Sequence, residues 1–218
     1  MDSPATLPVL SAEELRVLGA LMEKARTTPE YYPMSLNGLT AACNQKTSRK
    51  PVVNYDENTV AHALDSLKKR GLISTATGGG SRTIKFKHNF AIVYPIVPAE
   101  VAIICLLMLR GPQTPGELNT NSGRLWEFES IDEVQQTLEK LAADEPAYVV
   151  QLPRRAGQKE ARYAHLLAGE PEIAEDDDDA ELTVRASNAV EPRVVALEQR
   201  VAELEATVAR LMKELGVE

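Results

Sequence analysis

SLNGLTAACNQKTSRKPVVNYDENTVAHALDSLKKRGLI, residues 35–73, holds two short helical patterns parted by a long polar stretch. In the first pattern Leu36, Leu39 and Cys43 share a face, and Ser35 stands where a helix cap belongs. In the second, Val60, Leu64 and Leu67 make the apolar stripe. Asp56 and Glu57 suit the positive end of its dipole, and Gly71 suits its stop. Asn44 to Tyr55, between the two, carries Lys46, Arg49 and Lys50 ahead of Pro51. A helix-turn-helix ordinarily uses about three or four turn residues, so the stretch predicts that motif with an enlarged turn. The outward face of the second helix holds Asn58, Thr59, His62, Asp65 and Lys69.

Upstream, Ser11-Ala12-Glu13-Glu14 is a capping box, with Leu10 and Leu15 at the positions of a hydrophobic staple. Leu15, Leu18, Met22 and Ala25 continue as a helical stripe, with Leu21 beside it. Downstream, Leu72 to Thr77 reads as a strand, Gly78-Gly79-Gly80 as a turn and Ser81 to Phe90 as the returning strand. There Ile84 and Phe86 alternate with Thr83, Lys85 and Lys87, the period of two of a half-buried strand. Three helices and a hairpin predict a winged helix over residues 10–92.

The pattern then recurs. Pro98 to Leu109 is an apolar helix, and Thr114-Pro115-Gly116-Glu117 and Ser130-Ile131-Asp132-Glu133 are two further capping boxes. Val134, Leu138 and Leu141 repeat Val60, Leu64 and Leu67 at a spacing of 74 residues, while Thr114 and Leu118 repeat Ser35 and Leu39 at 79. The difference is a longer interhelix loop in the first copy. Tyr148 to Leu152, a basic turn from Pro153 to Lys159, and Glu160 to Leu166 supply a second wing over residues 93–168. Residues 169–190 are an acidic linker, too poor in apolar side chains to pack. In residues 191–216, Val194, Val201, Val208 and Leu215 at a positions and Leu197, Leu204 and Leu211 at d predict a parallel two-stranded coiled coil, hence a homodimer. The expected fold is mainly α with small β-hairpin wings: two tandem winged-helix domains plus a C-terminal coiled-coil helix.

The net charge of −8 over 218 residues is unevenly spread. Residues 1–90 carry +4, residues 91–170 carry −4 and residues 171–218 carry −8. Only the first part has the sign that duplex DNA attracts. No apolar run approaches the ~20 residues of a membrane span, and MDSPATLPVL lacks the layout of a secretory signal. Cys43 and Cys105, far apart and without metal-ligand spacing, read as reduced core thiols of a cytoplasmic protein.

Three motifs, PMSLNGLTAACNQKTSRKPV, LMLRGPQTPGEL and LPRRAGQKEARYAHL, closely resemble those of the bacterial YceH-like proteins, an uncharacterised family. The similarity spans about Leu10 to Leu167, and members of that family often end in a similar coiled-coil tail. The resemblance implies a tandem winged-helix fold in a cytoplasmic bacterial protein and implies no activity.

The first expectation for function is a dimeric DNA-binding protein, a transcriptional regulator acting through the basic first domain. Lys46, Arg49, Lys50, Lys68, Lys69, Arg82, Lys85 and Lys87 would touch phosphates. Asn58, Thr59 and His62 would face bases, although Glu57 and Asp65 place negative charge beside them. The alternative is a non-enzymatic scaffold that binds a protein partner through the acidic second domain, whose third helix exposes Asp132, Glu133, Gln136 and Glu139. Trp126 and Phe128 read either as interface anchors or as part of that domain's core. No catalytic, metal or cofactor site is expected, because His62, His88 and His165 are scattered and lack partners at working spacing.

Overall fold

Helix α1 (Ala12–Thr27) begins with the expected box: the Glu14 N–H donates to Ser11 Oγ at 3.2 Å, and the Ser11 N–H donates to Glu14 Oε2 at 2.8 Å. Leu10 and Leu15 of the staple are both buried. The computed structural model describes residues 6–76, 83–154 and 160–171. The Gly78–Gly80 turn, Arg82, the tip of the second wing, most of the linker and the whole heptad segment lie outside the described residues.

The first half continues with β1 (Met34–Ser35), α2 (Leu36–Cys43), α3 (Glu57–Lys69), β2 (Ile73–Ala76), β3 (Lys85–His88) and the single turn α4 (Phe90–Val93). Ser35 caps α2 by accepting the Gly38 N–H at 3.3 Å. Gly71, at φ 74°, lets the chain leave α3, with Leu72 N–H bonded to the Leu67 carbonyl and Gly71 N–H to that of Lys68. The strands form one antiparallel sheet in the order β1-β3-β2, with Met34 opposite Phe86 and Thr75 opposite Phe86 on its other side. Strand β1 is absent from the sequence reading because two residues are too few to display alternation. Ile84, expected to face inward, lies before the strand and is 54% exposed, whereas Phe86 packs on the core.

The second half repeats this order with α5 (Pro98–Arg110), α6 (Pro115–Ser122), α7 (Ile131–Ala143), β4 (Val149–Gln151) and β5 (Tyr163–His165). Gln113, ahead of α6, bridges Tyr163 of β5 as Met34 ahead of α2 pairs with Phe86 of β3. Thr114 and Glu117 form a complete capping box. At Ser130 only half of one forms, because the Glu133 carboxylate takes the Glu129 N–H instead. Glu14 and Glu100, equivalent residues of α1 and α5, are both buried and both accept the N–H of their cap residue. Each also meets a cation from the end of its own third helix, Arg70 at 3.4 Å and Lys140 respectively.

The two halves share a core. Helix α1 is buried without a break from Glu14 to Met22, and α5 from Ala102 to Leu109, because α1 packs on α2 and α3 and on α5 as well. The sequence stripe on α1 showed only one of these contacts. At the crossing the Cys105 thiol donates to the Gly19 carbonyl at 3.4 Å, and a Cβ added to Gly19 would stand 2.9 Å from Leu109 Cδ2. Gly19 and Cys105 occupy equivalent positions of the repeat, so like meets like, as in an isologous interface. Phe128 is buried and Trp126 packs against the same core. Both cysteines are free and buried, and burial pushes the Cys43 thiol up to about 12. Among the described residues no helix is long and apolar enough to cross a membrane.

Candidate nucleic-acid interface

Lys85 of β3 lies opposite Ser35, which is both the end of β1 and the cap of α2. Two residues on, Asn37 Nδ2 donates to Glu57 Oε1 at 3.2 Å, tying the start of α2 to the start of α3. Two helix starts and the lysine-bearing strand therefore lie side by side. Asn58 and His62 are exposed on α3 at this end, and Lys87 is exposed further along β3. Thr59 does not join the outward face. Its N–H donates to Asp56 Oδ1 at 2.7 Å and its hydroxyl to the same carboxylate, holding the Asp56 carboxyl below the usual range. Thr59 closes the helix cap, and that local bond competes with any contact to a base.

The lysines expected to meet phosphate are spread out. Lys68 and Lys69 are exposed in the last turn of α3, about 15 Å along the helix axis from Asn58 at ~1.5 Å per residue. They therefore do not belong to the same surface as Asn58 and His62. Lys46 and Lys50 are exposed on the loop between α2 and α3.

Arg49 corrects the sequence reading. Its side chain has no exposed surface, and its guanidinium faces inward to Glu23 of α1 in a two-pronged pair, Nη1 to Oε1 at 3.0 Å and Nη2 to Oε2 at 2.7 Å. Its remaining donors reach the Ala42 and Ser48 carbonyls and Gln45 Oε1. A guanidinium so occupied has no capacity for phosphate. Arg16 completes the arrangement from α1, donating to the Cys43 carbonyl at 3.2 Å and the Pro51 carbonyl at 2.6 Å. Two cations thus sit at the negative end of α2 and satisfy carbonyls its own turns leave open. Burial, then the charge of Arg49, lowers the Arg16 pKa. Burial alone would raise that of Glu23, but the Arg49 hydrogen bonds and charge outweigh it and hold Glu23 below the usual carboxylate range.

The same loop is fastened at both ends. Asn44 exchanges two hydrogen bonds with the Tyr55 backbone, at 2.7 and 2.8 Å. Lys50 N–H donates to the Leu109 carbonyl, and Arg110 donates both to Ser48 Oγ and to Asn121. The loop therefore bears on the end of α5, which Arg110 ties in turn to Asn121 of α6. Asn37, Arg16, Glu23 and Asn44 were not singled out from the sequence. A signal for one of them was present: Arg16 stands between Leu15 and the apolar run Val17–Met22, and buried charge requires partners.

In the second half the corresponding place is an open cleft of about 330 Å³ between the starts of α6 and α7 and the β4–β5 hairpin. Asp132, Gln135, Gln151, Arg154, Glu160 and Tyr163 line it, beside the half-exposed Ile131. Gln135 spans it, donating to Tyr163 Oη and Glu139. His88 and His165 end equivalent strands, and burial lowers both, His165 to about 4.

Two halves with the same order of helices, each closed by a small antiparallel sheet, make this a protein built on an internal repeat. The chain belongs to the family described as "Protein of unknown function, DUF480", which matches residues 10–158. It is 46% identical over 212 residues to the UPF0502 protein YceH of Escherichia fergusonii, covering 95% of this chain and 98% of that one. It is 48% identical over 211 residues to a UPF0502 protein of Shewanella loihica, covering 93% and 98%. A UPF0502 protein of Opitutus terrae is 52% identical over 174 residues, covering 79% and 75%. The YceH-like resemblance read from the three motifs holds.

Proposed function

We propose that the protein is a dimeric duplex-DNA-binding protein, a regulator of transcription, built from two tandem winged helices and a C-terminal coiled coil. The carrying observation is the meeting of Asn37, Glu57, Asn58 and Lys85 where the starts of α2 and α3 adjoin strand β3. That end of the first half has exposed hydrogen-bonding groups at a helix start and cations on the neighbouring strand, the combination that separates base contact from phosphate contact. Residues 1–90 also bear the +4 charge that draws a polyanion. Lys46, Lys50, Lys85 and Lys87 supply phosphate contacts, Lys68 and Lys69 reach a flanking strand, and Asn58 and His62 face bases.

Fluorescence anisotropy of the full chain with random duplex DNA across a salt series tests this reading. Affinity falls steeply with salt, and Lys85→Ala lowers the slope of log K against log salt by about 1. Absence of binding to every duplex at low salt removes the proposal. The heptad segment makes the protein a homodimer, so truncation before Pro192 converts the solution mass from dimer to monomer. An unchanged mass rules out that dimer contact.

A second reading, a scaffold for a protein partner, has its own support in the cleft of the second half. Asp132 and Glu160 and the exposed face of α7 give that surface an acidic character that phosphate would not approach. A partner recovered from the native bacterium in a fixed ratio, and lost in Asp132→Lys, would favour it.

A further inference from the structure

Resting on the DNA-binding reading above, we propose that Glu57, steered by Asn37, reads a base ahead of Asn58 and His62 and selects cytosine. Glu57 is the first residue of α3, and the helix does not need it for its cap, because Asp56 already accepts the Thr59 N–H. Glu57 turns away from the backbone to Asn37 on α2, which holds Oε1 at 3.2 Å. Its other oxygen, Oε2, has no hydrogen-bond partner among the described residues, and both Asn37 and Glu57 are exposed.

Side chains lean toward the start of their helix, so a residue at the first position projects ahead of those that follow it. A helix entering the major groove presents its first residues to the base edges. Glu57 therefore leads Asn58 into the groove. An ionised carboxylate only accepts hydrogen bonds. Guanine presents two acceptors in that groove and thymine presents one beside its methyl group, and a carboxylate is repelled by both. Cytosine presents the N4 amine as a donor, and its edge alone leaves the carboxylate satisfied. Adenine offers an amine but sets the N7 acceptor next to it, which faces the carboxylate unfavourably.

Selection against the other bases by an unpaired charge is a common way to obtain specificity. Here it turns the negative charge at the helix start from an obstacle into the discriminating group. Asn37 fixes the carboxylate and keeps its own Oδ1 for a neighbouring donor. The equivalent position of the second half is Ile131, which has no such chemistry. The inference is therefore confined to the first half.

The test is selection of bound duplexes from a randomised pool by the full chain, followed by sequencing. The wild type enriches cytosine at one position by about tenfold over the other bases, within the discrimination usual for a good base contact. Glu57→Gln moves the enrichment to adenine, which a side-chain amide reads through N6 and N7. Asn37→Ala, which releases the Glu57 carboxylate, weakens the cytosine enrichment. If wild type and Glu57→Gln enrich the same bases, the inference is overturned while DNA binding stands. If the wild type retains no duplex at low salt, the DNA-binding reading falls and this inference with it.

Discussion

The two halves share an order of elements, a buried glutamate at the start of the first helix and a cation that reaches it, yet they fill one place differently. Between their second and third helices the first half has residues 44–56 and the second has 123–130, five residues fewer. In the first half that space holds the Glu23–Arg49 pair with Arg16 beside it. In the second it holds the buried Phe128 and half-buried Trp126. One fold accepts either solution, but the consequences differ. The aromatic filling stabilises by removing apolar area from water. The ionic filling must recover the cost of desolvating two charges, and it does so only while every donor stays occupied. The enlarged loop is therefore a fastening between halves, held by Ser48 and Lys50 to Arg110 and Leu109, and only its exposed lysines remain for other work.

The largest expected effect follows from breaking that fastening. Arg49→Ala leaves the largely buried Glu23 with only Lys24, at 3.2 Å, to offset its charge, and is expected to cost about 3 kcal/mol in urea unfolding, the lower end of what breaking a buried pair costs. The double variant Glu23→Leu with Arg49→Met removes both charges and is expected to recover most of that loss. A small effect of Arg49→Ala alone would mean that the buried pair contributes little to stability. The pair also sets an acid dependence. Because the folded pKa of Glu23 is depressed, its contribution is complete above the unfolded value of about 4.3 and is lost as pH falls through the lower folded value. Glu23→Gln should be less stable than wild type at neutral pH and lose less stability on acidification across that window.

The next effect falls on the helix crossing. Gly19→Val forces two methyl groups into a space where a single Cβ already approaches Leu109 Cδ2 to 2.9 Å. An overpacked crossing of this sort is expected to cost about 1–3 kcal/mol, read as a lower urea midpoint with an unchanged slope. No loss would show that α5 moves away from α1 freely, and the shared core would then be loose.

What the residues disclosed in advance follows a physical pattern. Helices with strong caps and clean stripes were legible, because Ser11, Ser35, Thr114 and Gly71 act within a few residues of chain. The repeat was legible too, since its spacing survives in the apolar positions. Contacts joining distant segments were not. Strand β1 exists only because β3 lies beside it, and α1 is buried all round from Glu14 to Met22 only because α5 covers its far face. Arg49 was read as a surface cation because a loop arginine next to two lysines looks solvated until Glu23 is brought to it. At the candidate interface, Asn58 and His62 are exposed as expected, whereas Thr59 spends its hydroxyl on the Asp56 cap and Asn37 enters through a bond between two helices.

The smallest expected effect discriminates most sharply between one body and two. Ser11→Ala and Ser130→Ala each remove a side-chain acceptor from a helix start, one in each half, at 3.2 Å in both cases. Loss of such a cap costs about 1 kcal/mol. Ser11 also anchors a complete box, whereas Ser130 holds half of one, so Ser11→Ala should cost slightly more. If α1 and α5 bind the halves into one cooperative unit, either substitution shifts a single unfolding transition, and the two losses add in the double variant because the sites share no partner. If the halves melt separately, each substitution moves only one of two transitions, and circular dichroism and tryptophan fluorescence part company. Trp126 belongs to the second half alone. Its fluorescence would then follow Ser130→Ala and ignore Ser11→Ala, and that pattern would show that the crossing at Gly19 and Cys105 is a contact between two domains and not the centre of one.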